Sequence, residues 1–205
     1  MPAKPYNTLA PPFRLRFQEM SKTEIEGYFR WFFEVFPQRI RELVGLVRDT
    51  PGFERWDADN TPKSLEVLGE WFANQVELRN RTPAELQVIT DKLVFPMDVS
   101  GEELTSRTFS IAFDVGVYFG QVLVTNLPTL RWKQASGSKN SIDCGQPLLT
   151  GFVSHLTLNP VRIGVTLAYG LAARSQSGSR LREVHDYWAA RAPLMPDSIG
   201  ELRGN

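Results

Sequence analysis

The residues of this sequence that could perform chemistry are few, and their spacing matches no known catalytic arrangement. There is one cysteine, Cys144, and there are two histidines, His155 and His185. A catalytic cysteine needs an imidazole beside it and a third group that orients the ring. Cys144, His155 and Asn159 have suitable types and order, but in known enzymes of this order the histidine follows the cysteine by about 130 residues. We therefore expect an ordinary thiol, an ordinary histidine at 155 and a packed, structural His185.

The sequence also lacks the motifs that bind common cofactors and metals. It contains no Walker loop, no Rossmann glycine fingerprint, no His-Glu-x-x-His, no paired Cys-x-x-Cys and no Gly-x-Ser-x-Gly. With so few histidines and cysteines, carboxylates would have to supply most ligands of a zinc ion, which is uncommon for that metal. We therefore predict no catalytic residue, no cofactor and no metal, and the balance favours a protein that is not an enzyme.

A set of polar residues in the second half of the chain could line a pocket. Asp114 lies in a strongly apolar stretch, where a carboxylate needs hydrogen-bond partners or must take up a proton. Gly116 and Gly120 nearby would let another backbone approach closely. The predicted ligand-binding set comprises two residues of this stretch and four from the segment after it: Asp114, Tyr118, Trp132, Asp143, Gln146 and Arg162.

Two interpretations of Asp114 remain open at this level. In the structural one, its carboxylate accepts hydrogen bonds from backbone amides or side chains of residues 132–152, and it anchors that segment. In the functional one, it faces a ligand pocket with the polar residues named above, because such a set against apolar walls is typical of ligand sites.

A partner-binding role is predicted for Trp56 and its neighbour Arg55. Both lie in a polar segment, residues 53–59, between two predicted helices. Aromatic and arginine side chains supply most of the binding energy at protein interfaces. The alternative is that the Trp56 ring folds back over the core.

The elements that must position these residues are mostly helices. Ser21 caps an aromatic-rich first helix, in which Pro37 predicts a break or a kink. Ser100 caps the longest predicted helix, about 101–125, whose second half is apolar nearly all round. A helix of that kind is surrounded by protein. We therefore predict an α+β, mostly helical fold in which a central buried helix is surrounded by amphipathic helices.

Strand patterns are short and few. Strict alternation of apolar and polar residues predicts a strand at 13–17. The segments 130–133 and 148–158 predict a hairpin or small antiparallel sheet. Asn159 then caps a helix that opens with Pro160.

Length and charge limit the classes of function. A chain of 205 residues suits one domain, and we predict an extended arm at 1–12, a globular domain at 13–192 and a tail at 193–205. The 23 basic and 23 acidic residues cancel, which removes the usual electrostatic argument for nucleic acid or anionic membrane. The first residues lack the apolar core of a secretory signal, so we expect a cytoplasmic protein with no nucleic-acid or membrane partner.

One stretch of the sequence resembles a pattern in small uncharacterised bacterial cytoplasmic proteins. The shared residues are Asp114-x-Gly116-x-Tyr118-Phe119-Gly120, Trp132, Gln146-Pro147, Gly151-Phe152 and Asn159-Pro160. Some of those proteins look like immunity proteins encoded beside toxins, and no catalytic residue comes with the resemblance. It implies a non-enzymatic bacterial protein, of immunity type, that binds a protein partner. The alternative is a small-ligand-binding protein or unfamiliar enzyme that uses the pocket between the central helix and the hairpin.

Overall fold

The computed structural model describes residues 6–93, 95 and 97–193. Its helices are α1 (Lys22–Arg48), α2 (Ser64–Ala73), α3 (Pro83–Thr90), α4 (Ser106–Asn126), α5 (Pro160–Ala172) and α6 (Arg180–Ala189). Its strands are β1 (Leu78–Asn80), β2 (Glu102–Leu104), β3 (Arg131–Gln134) and β4 (Pro147–Thr150). The strands form two antiparallel two-stranded sheets, β1 with β2 and β3 with β4. The predicted class, α+β and mostly helical, is confirmed.

Helix α4 is the centre of the domain. Every residue from 111 to 120 is buried, which confirms the prediction of a central, surrounded helix. The predicted start was too early, because the backbone of β2 pairs with β1 and the helix begins only at Ser106. Its cap is Thr105, whose side chain accepts a hydrogen bond from the backbone of Thr108. By length and composition α4 could cross a membrane, but 78% of its most apolar window is buried inside the domain.

Glycines allow α4 and α5 to pack backbone against backbone. A Cβ atom on Gly116 would lie 2.5 Å from the carbonyl oxygen of Pro160 and 2.7 Å from the Cα of Val161. A Cβ atom on Gly164 of α5 would lie still closer to the carbonyl oxygen of Ala112. The expectation that Gly116 lets another backbone approach is therefore correct, and that backbone belongs to α5.

Helix α1 runs along one side of α4 and is longer than the sequence predicts. The capping box of Ser21 and Glu24 is present. Pro37 does not break the helix, which continues unbroken to Arg48. Pro37 cannot donate to the carbonyl of Phe33, but both residues are exposed, so water can satisfy that carbonyl group.

The hairpin of β3 and β4 is confirmed, with Arg131 opposite Thr150. The strand predicted at 13–17 is wrong. The backbone turns there, with the amide of Arg16 donating to the carbonyl of Arg14, and the rings of Phe13 and Phe17 both pack edge-on against Tyr28 of α1. Aromatic packing on a helix produced the same alternation that a strand would show. Of the predicted arm and tail, residues 1–5 and 194–205 lie outside the described residues.

Candidate functional site

A buried ion pair joins α4 to α1. The Asp114 side chain is fully buried and that of Arg39 is 6% exposed. Arg39 donates from Nε to Asp114 Oδ1 and from Nη2 to Asp114 Oδ2, both at 2.7 Å. The expected donors for Asp114 were residues of the hairpin, and that expectation is wrong. The helix turns this carboxylate toward α1, where a guanidinium satisfies both of its oxygens.

The N-terminal segment completes this cluster. The Tyr6 hydroxyl donates to Asp114 Oδ2 at 2.6 Å and accepts from Arg39 Nη2 at 2.6 Å. Arg39 Nη1 donates to the carbonyl of Asn7 at 2.8 Å, and the amide of Leu9 donates to Ser110 Oγ at 2.9 Å. Residues 6–9 of the predicted arm therefore lie against the domain and contribute to its interior.

Burial and the neighbouring charges shift the pKa values of Asp114 and Tyr6 in this cluster. Burial raises the pKa of the Asp114 carboxyl from 3.8 to about 6, although the bonds and charge of Arg39 and the Tyr6 bond act in the opposite direction. Burial and the Asp114 charge raise the pKa of Tyr6, so its hydroxyl stays protonated and keeps donating. Because the folded-state pKa is raised, the part of the stability that depends on protonation of Asp114 is greatest below pH 3.8 and is lost as the pH rises through about 6. Every polar side-chain atom of Tyr6, Arg39 and Asp114 has a hydrogen-bond partner.

We predict that Tyr6→Phe lowers the free energy of unfolding by about 1.5–3 kcal/mol, the usual contribution of a hydrogen bond to a charged group. The substitution keeps the ring and removes only the hydroxyl between Arg39 and Asp114. Urea denaturation measures the change. Tyr187→Phe is the matched control, because Tyr187 is 54% exposed and should melt with the wild type. Equal stability of the Tyr6 variant would contradict the assigned contact.

Tyr118 and Trp56 form a second internal group. The Tyr118 hydroxyl lies 2.7 Å from Ser64 Oγ and accepts from the amide of Asn60 at 3.1 Å. Trp56 packs edge-on against Tyr118 and donates from Nε1 to the carbonyl of Ser64 at 3.0 Å. Trp56 is 5% exposed, so it is not the exposed anchor that the sequence suggested. Its ring folds back over the core, as in the alternative interpretation, so of the two predicted partner-binding residues only Arg55 is exposed.

Three of the predicted ligand-binding residues do meet, around Asn159. Asn159 Nδ2 donates to Asp143 Oδ1 at 2.9 Å and to Gln146 Oε1 at 2.8 Å. Its Oδ1 accepts from the amide of Arg162 at 3.1 Å, and the Arg162 side chain pairs with Asp143. These bonds fasten the loop between β3 and β4 to the start of α5. The polar groups of these four residues thus bind one another, as is typical of a structural hydrogen-bond network.

The six predicted ligand-binding residues therefore do not share one site. Asp114 bonds to α1 and Tyr6, whereas Tyr118 bonds to the segment before α2. Trp132 packs against the Phe32 ring, with ring centroids 5.4 Å apart, and lies over Gly120. Asp114 and Tyr118 lie one turn apart on α4 and still contact different neighbours, because successive turns of a surrounded helix meet different elements.

The two residues that sequence reasoning missed are Arg39 and Tyr6. A signal for Arg39 was present, because it follows Phe32 by seven residues and precedes Leu43 by four, on the apolar stripe of α1. A charged residue in a core stripe needs a buried counter-charge, but the stripe does not show which acidic residue supplies it. Tyr6 carried no comparable signal.

The residues considered for catalysis differ in solvent exposure. Cys144 is buried and His155 is exposed. His185 is 4% exposed, and its Nδ1 lies 2.9 Å from Asp186 Oδ1. Among the residues that the structure describes, no group of three or more His, Cys, Asp or Glu side chains could hold a metal ion.

The most exposed apolar side chains lie around α3. No residue of α3 is buried, and Val88 on it is 54% exposed. In the segment that follows, Phe95 is 74% exposed and Met97 is 69% exposed. Lys92, just after α3, also lines a groove of about 390 Å³ together with Leu15, Ile142 and six polar or aromatic neighbours. We call this region, with Val88, Phe95, Met97, Leu15 and Ile142, the α3 surface.

Comparison with known proteins found no similar family, protein or structure. No protein-family model, no curated protein and no solved structure matches this chain.

Proposed function

We propose that this chain is a non-enzymatic interaction protein that binds a protein partner through the α3 surface. The observation that carries the proposal is the exposure of large apolar side chains there, with Phe95, Met97 and Ile142 each about 70% exposed. Large exposed apolar patches are uncommon on monomeric proteins and mark interaction sites, and the proposal is that these side chains form one such patch. The clusters built by Asp114 and Asn159 support the same reading, since each one satisfies its own polar groups and presents none to a substrate.

Helix α3 is held in place by polar contacts and presents Val88 outward, whereas Leu86 and Ile89 are half-buried. Its capping box joins Thr82 to Glu85, and Arg79 of β1 binds both oxygens of Glu85 at 3.1 and 2.7 Å. The helix is thus anchored at its start by a network on the β1–β2 sheet. A binding surface supported on a fixed element loses less conformational entropy when it meets its partner.

The partner that we propose is a folded protein, and the immunity type is the specific form of the proposal. An inhibitor of a toxin works by covering a surface and needs no catalytic acid or base. This is consistent with a sequence in which we predict no catalytic residue. In that form the partner is a toxin encoded beside the gene in a bacterium, and the complex forms in the cytoplasm. The resemblance around Asp114 to Pro160 supports this form.

The test is site-specific photo-crosslinking in the native host, with the photoreactive group at Met97. The control places the same group at Val153, which is 43% exposed in a turn elsewhere on the chain. We expect a discrete crosslinked protein from position 97 that position 153 does not yield. The same protein at both positions, or none at position 97, would exclude the α3 surface as the binding site.

With the partner identified, we predict that Met97→Asp weakens binding at least about tenfold, a difference of about 1.4 kcal/mol. The reason is that a carboxylate at the centre of an apolar contact must lose its hydration without gaining a partner. The melting temperature should not change, because Met97 is 69% exposed. Isothermal titration calorimetry measures the affinity, with Val153→Asp as the matched control. Unchanged affinity of the Met97 variant would contradict the proposal.

A further inference from the structure

A second exposed surface lies on the first half of α1, and it shares no residue with the α3 surface. Charged residues of alternating sign occupy every fourth position there: Lys22, Glu26, Arg30 and Glu34. Residues four apart lie on one face of a helix, so these four form a single row about 18 Å long. All four are exposed. We call this the charged row.

An apolar groove runs beside the charged row. Phe29 and Phe33 of α1 lie edge to face with ring centroids 5.1 Å apart, and Phe33 is 36% exposed. Together with the charged residues at 26, 30 and 34 and with Gln134 of β3, they line a groove of about 560 Å³. The row and the groove form one amphipathic face of α1.

We propose that two copies of this chain associate through this face, with their α1 helices antiparallel. The two-fold axis passes level with Tyr28. In this arrangement Lys22 meets Glu34 of the second copy and Glu26 meets Arg30 of the second copy, and symmetry doubles both pairs. Phe29 lies one residue from the axis, so the two Phe29 rings meet at the centre of the contact.

The charge order is what selects a second copy of this chain as the occupant. When two such rows run antiparallel, each positive side chain lies opposite a negative one. When they run parallel in the same register, side chains of like charge lie opposite each other. Isologous pairing about a two-fold axis is the commonest way in which identical chains associate. The charges set register and orientation, whereas burial of the aromatic rings supplies most of the affinity.

The contacts within the chain leave the charged row available. Lys22 and Glu26 approach to 3.8 Å, with side chains 91% and 52% exposed, and exposed pairs of this kind contribute little. Within the part of the chain that the structure describes, Arg30 and Glu34 form no ion pair. Exchanging these weak contacts for those of a second copy therefore costs little.

Sedimentation equilibrium of the full chain tests the proposal, over about 1–200 µM because the dimer fraction follows mass action. We expect the wild type to approach twice the chain mass of 23.2 kDa. Glu26→Arg places two like-charged pairs across the axis and should raise the dimer dissociation constant at least about tenfold. Adding Arg30→Glu to it reverses both charges, restores complementarity and should return the constant to within about threefold of wild type.

Glu70→Arg on α2 is the matched control, because it makes the same change of charge at an exposed site away from α1 and should leave the constant unchanged. Circular dichroism melts confirm that each variant is folded. A wild type that stays monomeric throughout overturns the proposal and leaves this face to another occupant. So does a folded Glu26→Arg variant that dimerises as the wild type does, or a folded double variant that does not recover. None of these outcomes bears on the α3 surface.

Discussion

Asp114→Ala is expected to lower the free energy of unfolding by about 3–5 kcal/mol, the usual result of removing one partner of a buried ion pair. The substitution leaves the Arg39 guanidinium, 6% exposed, without a counter-charge and leaves the Tyr6 hydroxyl without its acceptor. For a chain of this length the loss corresponds to a decrease of about 6–20 °C in melting temperature. Asp114→Asn should lose less, because it keeps one acceptor oxygen and the shape.

The matched variant replaces the whole cluster with apolar side chains: Tyr6→Phe, Arg39→Met and Asp114→Val together. Such replacements are often neutral or stabilising, because the desolvation of a buried pair offsets most of its attraction. Burial that raises the pKa of Asp114 to about 6 indicates the same cost. We expect the triple variant to recover most of the stability that Asp114→Ala loses. Thermal melts and urea denaturation measure all three variants, and an Asp114→Ala protein that melts with the wild type would refute the buried pair.

Gly116→Ala is expected to destabilise the domain by about 3 kcal/mol, the upper end of the usual cost of overpacking. The new methyl group would lie 2.5 Å from the carbonyl oxygen of Pro160 and 2.7 Å from the Cα of Val161. Both neighbours are backbone atoms, so α5 as a whole must move away from α4. Alanine favours a helix over glycine by only about 0.5–1 kcal/mol, and the clash therefore decides the sign.

Gly45→Ala in α1 is the matched control, because nothing lies within 4 Å of the position of its Cβ. There the helix preference acts alone, and the variant should gain about 0.5–1 kcal/mol. Chemical denaturation of both variants gives the comparison. A Gly116 variant as stable as the Gly45 variant would show that α4 and α5 can separate without loss.

The sequence predicts those features that depend on neighbours along the chain. The sequence predicts the caps at Ser21 and Asn159, the hairpin of β3 and β4 and the nearly continuous apolar surface of α4, because each depends on a few consecutive residues or one period. The burial of Asp114 followed from the same periodicity. The strand predicted at residues 13–17 was wrong because a strand and a turn packed on a helix can share the same alternation of apolar and polar residues.

The identity of the partner of Asp114 was decided by tertiary structure alone. Arg39 lies 75 residues away and Tyr6 lies 108 residues away, and no local pattern specifies which helix faces which. The same holds for Trp56, whose polar segment suggested exposure until the packing of α2 and α4 provided Ser64 and Tyr118 as its neighbours. Periodicity determines which side of an element is buried, because it depends on backbone geometry. The contacts across that buried side depend on how the elements pack, which short-range propensities do not encode.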